Sequence, residues 1–500
     1  MNIKRAKEEI MNTVKAYLAK DQFGEYVIPY LRQRPLLLIG PPGVGKTQIM
    51  EQVARDCNVA LVSYTITHHT RQSAVGLPFI QKKTYEGREY SVTEYTMSEI
   101  VASIYDKIEA TGKKEGILFI DEINCVSETL APTMLQFLQY KSFGNRSIPK
   151  GWAIITAGNP PEYNRSVRDF DTVTLDRVRK MNIEPDYTIW KEYAYKQGIH
   201  GAIITYLDIK KDNFYRVETT VDGMFFVTAR GWEDLSEMIH TCEKLNLPVT
   251  EDLVIQYIQY NTIARDFANY YELYQKYKQA YSIEDIVNGS ISQNAIIRMT
   301  KANFDEKLNV IGLLLTKLND IFKDAFILDK YVEELFSCLK EWKESVIAVK
   351  DGEKVLTSIH EAREHSQSQK VEMGLMDRIE NHVYHLVQEK LESYRKYLRE
   401  EDITDGEHSF RVIKELFEAE VTKRKNSITY GSNALEHVFS FMETAFGESQ
   451  EMVIFVTELT VNYYSSKFIG ENGSEMYTKY NKSLLFEERH KEILEEIEHL

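Results

Sequence analysis

With 500 residues, of which 43% are hydrophobic, 11% aromatic and 27% charged, the chain has enough apolar material for buried cores and is not a disordered polymer. Domains hold about 100 to 200 residues, so one core does not suffice and two or three domains are expected. A net charge of −15 and a pI near 5.4 set the surface against nucleic-acid phosphates and anionic lipid headgroups.

The first segment, MNIKRAKEEIMNTVKAYLAKD, spaces Ile10, Val14, Tyr17 and Leu18 as an amphipathic helix and lacks the apolar centre of a signal peptide. No later run reaches the roughly 20 apolar residues that span a bilayer, so no membrane partner is expected. Cys57, Cys125, Cys242 and Cys338 are scattered without a C-x-x-C pair. That spacing suggests neither a disulfide framework nor a zinc site, and reduced thiols in a cytoplasmic protein are expected.

Short apolar runs at 36–39, 60–64, 117–120, 152–157 and 179–183 alternate with helical patterns, which predicts a parallel sheet with crossover helices. Gly40-Pro41-Pro42-Gly43-Val44-Gly45-Lys46-Thr47 lies between the first run and a helical stretch, and satisfies G-x-x-x-x-G-K-[ST]. Its glycines let backbone N–H groups wrap phosphates, Lys46 neutralises β/γ oxygens, and Thr47 is a ligand for Mg²⁺. The third run closes on Asp121-Glu122, where Asp121 is expected to hold Mg²⁺ through water and Glu122 to act as general base on the attacking water. The fourth ends at Asn159, placed to touch a γ-phosphate or orient that water.

After about Tyr187 the pattern turns helical, apart from a strand-like run at 224–227. Tyr257, Tyr260, Phe267, Tyr270, Tyr271, Tyr274, Tyr277 and Tyr281 recur at three- and four-residue steps, which reads as a buried helix face rather than a base-stacking platform. Amphipathic segments follow at 304–322, 379–398, 410–421 and 452–464, without a repeat period. His68 and His69 read as exposed loop residues. His360 and His365 are spaced i, i+5, which does not suit the zinc pair of a metalloprotease.

The P-loop, DEIN, AGNP, LDRVR and TARGW, in that order, resemble the MoxR family of AAA+ ATPases over about residues 30 to 245. The resemblance implies an AAA+ α/β P-loop core (1–186), an all-helical lid (187–285) and an all-helical C-terminal region of unassigned role (286–500). It also implies ATP as the nucleotide, Asn159 as sensor 1, and Arg177 as the arginine finger reaching a neighbouring subunit. Val178 stands where the family usually has an aromatic, and Arg179 is left as a rival finger. In Thr228-Ala229-Arg230, which is similar to the family's S-P-R signature, Arg230 would contact the phosphates as sensor 2.

MoxR relatives work as homo-oligomeric rings, here expected as a hexamer, that remodel or activate protein clients, often beside a von Willebrand factor A domain protein. Asn164-Arg165-Ser166 keeps open a second reading, the NTP-driven subunit of a nucleic-acid-processing or restriction system. The acidic balance weighs against it, and the basic cluster Arg165, Arg168, Arg177, Arg179 and Lys180 is assigned to a ring interface. A third reading is a nucleotide-gated scaffold, which the intact Asp121-Glu122 pair disfavours.

Overall fold

All five apolar runs of the first 189 residues pair as parallel strands. The computed structural model describes residues 1–68, 72, 76–143, 146–163, 170–221, 223–349, 351–372 and 376–482. They divide into two units, Met1–Ile189 with Glu364–Asp377, and Trp190–Arg363 with 378–482. His69, Asn164, Arg165, Ser166 and Arg168 lie outside the described residues, as does the side chain of His68.

In the first unit the described strands are β1 (Leu36–Ile39), β2 (Ala60–Thr65), β3 (Pro78–Tyr85), β4 (Arg88–Tyr95), β5 (Gly116–Asp121), β6 (Ser142–Phe143), β7 (Arg146–Ser147), β8 (Trp152–Gly158) and β9 (Arg179–Asn182). Five of them form a sheet in the order β2-β5-β8-β1-β9, every pairing parallel. Side chains alternate across it. Leu36, Leu38, Phe119 and Ile155 face the helices Ile3–Leu18 and Gln48–Asp56, while Leu37, Leu118 and Ile154 face the helices Glu99–Thr111 and Ala131–Tyr140. Both faces are covered, as a parallel sheet requires. Because β8 sits between β1 and β5, the carboxyl ends of these three strands lie side by side, which is where open α/β sheets bind ligands.

The structure adds strands that the apolar pattern does not predict, β3 and β4 among them. Strands β3 and β4 form an antiparallel hairpin between β2 and the helix Glu99–Thr111, turning at Glu86 and Gly87, both at positive φ (51° and 79°). Those angles are those of a type I′ turn, whose twist matches the flanking strands.

The second unit carries the helices Gly201–Ile209, Ala229–Leu245, Glu251–Tyr257 and Asn261–Ala280, with a hairpin of β10 (Arg216–Thr220) and β11 (Gly223–Val227). Phe267, Tyr271, Tyr274 and Tyr281 are buried, and the Phe267 ring lies 5.3 Å from both Tyr206 and Trp232, so half of the aromatic stripe is core. Tyr257, Tyr260, Tyr270 and Tyr277 are partly covered. The predicted segments 304–322 and 410–421 are parts of much longer helices, Phe304–Val349 and Gly406–Phe446. A second core of Leu335, Trp342, Leu391, Tyr394 and Ile413 joins these helices to Arg378–Glu400. Among the described residues no helix is long and apolar enough to cross a membrane.

Candidate nucleotide site

Gly43 and Gly45 hold φ of 73° and 88°, the left-handed region that lets the loop after β1 curl back on itself. Gly40 is required for another reason: a Cβ there would fall 2.8 Å from the Ile183 carbonyl oxygen. The loop leads into the helix Gln48–Asp56, whose free first-turn N–H groups make its N-terminus a place where an anion is favoured.

Lys46 is buried at 8% exposure, and its Nζ donates to the Gly40 carbonyl (2.7 Å), the Pro41 carbonyl (2.8 Å) and Asn159 Oδ1 (3.0 Å). Pro41, Pro42 and Val44 complete the loop. One ammonium thus joins the P-loop to the end of β8, the two places named separately from the sequence. Thr47 Oγ1 donates to Asp121 Oδ2 at 2.8 Å, which brings the two expected Mg²⁺ ligands into direct contact. A hydroxyl and a carboxylate at that spacing suit a hard cation that keeps several waters.

Glu122 has a positive φ of 56°, unusual for a residue with a side chain, and its N–H donates to Asp121 Oδ1 at 2.9 Å. This turn sends the two neighbouring carboxylates apart, Asp121 to Thr47 and Glu122 Oε2 to the Thr67 hydroxyl at 2.7 Å. Thr67 was not singled out from the sequence, since a lone loop threonine carries no motif. The acidity of this corner is felt by Cys125, whose thiol is raised by burial and then by the Glu122 and Asp121 charges. A thiol held protonated is not a nucleophile.

Residues 36–168 match the family described as "ATPase family associated with various cellular activities (AAA)". The chain carries an AAA ATPase domain. ATP binding and hydrolysis are assigned to this domain. A crystal structure of a provisionally named ATPase from Cytophaga hutchinsonii ATCC 33406 aligns at 15% identity over 36% of this chain, which spans 52% of that protein's length. The TM-score of 0.23 is too low to say anything of fold or activity. No curated protein matches the chain.

The ATPase domain separates its two candidate finger arginines. Arg177 ends the helix Thr172–Arg177 with its side chain exposed, while Val178 is buried in the sheet's core. Asp171 caps that helix by accepting from the Thr174 N–H (2.8 Å), and the Thr174 side chain, that N–H and the Arg177 charge, in that order, keep its carboxyl below the usual range. Arg179 instead donates through a guanidinium nitrogen to Thr13 Oγ1 at 2.9 Å, tying β9 to the N-terminal helix.

Arg230 belongs to the second unit. It is exposed in the first turn of the helix Ala229–Leu245, which Thr228 caps by accepting from the Gly231 N–H at 3.2 Å. A cation is unfavourable at a helix N-terminus, where an anion is favoured. Gly231 has no side chain because a Cβ would meet the Tyr257 carbonyl oxygen at 2.8 Å.

Proposed function

We propose that the ATPase domain works as a MoxR-like motor, in a ring of identical subunits, coupling hydrolysis of Mg-ATP to the remodelling or activation of a protein client. The contact network from Lys46 to Asn159 and from Thr47 to Asp121 carries this reading, because it assembles one phosphate-binding cation, one hydroxyl–carboxylate pair for Mg²⁺ and one γ-phosphate sensor at three adjacent strand ends. In it Lys46 exchanges carbonyl acceptors for β/γ oxygens, and Thr47 and Asp121 hold the metal. Glu122 takes the proton of the attacking water, and Asn159 orients that water or the γ-phosphate.

The ring part rests on Arg177. An exposed guanidinium ending a short helix, beside a sibling already engaged with Thr13, suits delivery to a neighbouring subunit's γ-phosphate. Arg230 takes the sensor 2 role that the resemblance to MoxR proteins implies. A protein with a von Willebrand factor A domain is the partner that the resemblance to MoxR proteins suggests.

Phosphate release from Mg-ATP across a protein concentration series, with sizing in parallel, tests this. Turnover per subunit should rise with assembly and disappear in Glu122→Gln, which still binds nucleotide. Turnover independent of concentration in a monomer overturns the ring.

A further inference from the structure

Asn124 follows the acidic pair by two residues and is 4% exposed. Its Nδ2 donates to the Asn159 main-chain carbonyl at 2.7 Å, while its Oδ1 is buried and has no hydrogen-bond partner among the described residues. The orphaned oxygen fixes which way the amide faces, since the flipped rotamer would set carbonyl against carbonyl. It is also a cost that a leucine of similar shape would not carry. What the amide supplies is therefore the donor.

The recipient is a segment short of donors. Asn159 leaves β8 at Gly158 and is followed by Pro160 and Pro161, neither of which has an N–H to organise the turn. Gly158 makes room for the contact, because a Cβ there would fall 2.3 Å from Asn124 Oδ1. The Asn159 side chain meanwhile meets Lys46. A chain of contacts thus runs from the turn after Asp121-Glu122, through Asn124 and the Asn159 backbone, to the P-loop lysine.

We propose that Asn124 is a positioning residue for ATP hydrolysis: by holding the Asn159 carbonyl it sets where the Asn159 amide meets the γ-phosphate and the attacking water. The proposal rests on the reading of Asn159 as the γ-phosphate sensor. A misplaced catalytic group costs rate more than affinity, so the expected signature is in kcat.

The experiment compares ATP turnover, fluorescent-nucleotide affinity and melting temperature of the full chain for Asn124→Ala, Asn159→Ala, the double variant and Asn124→Asp. Asn124→Ala should lower kcat by about tenfold or more with affinity and melting near wild type. In the double variant it should add nothing to the loss caused by Asn159→Ala. Asn124→Asp keeps the shape but loses the donor when ionised and regains it when protonated. Its rate relative to wild type should therefore recover as pH falls, because the protonated carboxyl donates again. That profile decides the matter if Asn124→Ala does not fold.

Losses that multiply in the double variant, Asn124→Ala within about twofold of wild type, or an Asn124→Asp profile parallel to wild type would each overturn the proposal. An Asn159→Ala enzyme as fast as wild type would fell the sensor reading itself, and with it this one.

Discussion

Gly201 lies beneath Thr316, whose Oγ1 would stand 2.1 Å from a Cβ on that glycine, and the arrangement is reciprocated four residues on by Thr205 over Gly312 at 2.2 Å. The helices Gly201–Ile209 and Phe304–Val349 therefore cross with backbone against hydroxyl. Each threonine donates back to its own helix, Thr205 to the Gly201 carbonyl (2.9 Å) and Thr316 to the Gly312 carbonyl (2.8 Å), so the buried hydroxyls are satisfied. The segment expected as a lid and the helices after 286 meet at this crossing.

Gly201→Ala should then destabilise the second unit by about 1–3 kcal/mol, the usual cost of overpacking a closed site. Thr316→Ala on the same chain should recover only part of the loss, because it removes the nearest atom but leaves the Tyr274 hydroxyl at 2.8 Å and the residue-316 Cβ at 3.0 Å. Denaturant midpoints of the two single variants and the pair measure the coupling. Additive effects would mean that the crossing tolerates the extra methyl by moving.

The same two regions share a buried ion cluster. Lys191, 8% exposed at its side chain, donates to Asp208 and Glu458 at 2.6 Å each, and the Tyr195 hydroxyl donates to the other Glu458 oxygen at 2.8 Å. Removing the lysine leaves two carboxylates facing each other in a partly dry site. Lys191→Met should cost roughly 3 kcal/mol, whereas Lys191→Met with Glu458→Leu should cost less, since breaking a buried pair hurts more than replacing it. Equal losses from the two variants, followed by chemical denaturation, would show the cluster to be solvated.

The five strands of the sheet and the nucleotide loop were legible in the sequence because each signal was local: an apolar run of strand length, a filled P-loop pattern, an acidic pair closing a strand. Hairpin β3–β4 is not legible, because Glu86-Gly87 is a weaker turn signal than Asn-Gly or Asp-Gly and its largely exposed strands carry no clean apolar alternation. The contacts that complete the site were hidden for a different reason. Thr67 meets Glu122, and Asn124 meets Asn159, across gaps of 55 and 35 residues, and only the order of strands in the sheet brings them together.

Acid should weaken the second unit through His240. Burial lowers its pKa from the usual 6.5, the neighbouring His200 lowers it further, and the Gly198 carbonyl and Glu243 charge oppose this incompletely. The unfolded chain thus takes up a proton at higher pH than the folded one, so stability is complete above about 6.5 and falls as pH drops below it. The limiting slope for one proton is about 1.4 kcal/mol per pH unit, and partial exposure makes the actual slope smaller. A second loss comes only in strong acid, from Glu243. Its burial alone would raise the carboxyl, but the hydrogen bond and charge of His200, with Lys278 and Gln275, hold it at about 2. Denaturant midpoints against pH should therefore slope less in His240→Gln than in wild type between about pH 6.5 and 5, and identical slopes would exclude His240 as the source.

The two candidate fingers make opposite predictions. Arg179 is spent on Thr13, so Arg179→Ala should lower stability by about 1 kcal/mol, the worth of one hydrogen bond, and leave ATP turnover intact once the protein is folded. Thr13→Ala should behave alike. Arg177→Ala removes an exposed charge and should leave melting unchanged, yet if it serves a neighbour's γ-phosphate it should cut kcat by about a hundredfold or more while nucleotide still binds. Mixing settles in which direction it acts: titrating Arg177→Ala into wild type should depress turnover more than dilution does, because each variant subunit disables the site beside it. Loss of turnover in Arg179→Ala with Arg177→Ala fully active would reverse the assignment. It would mean that β9 releases its hold on the N-terminal helix when subunits assemble.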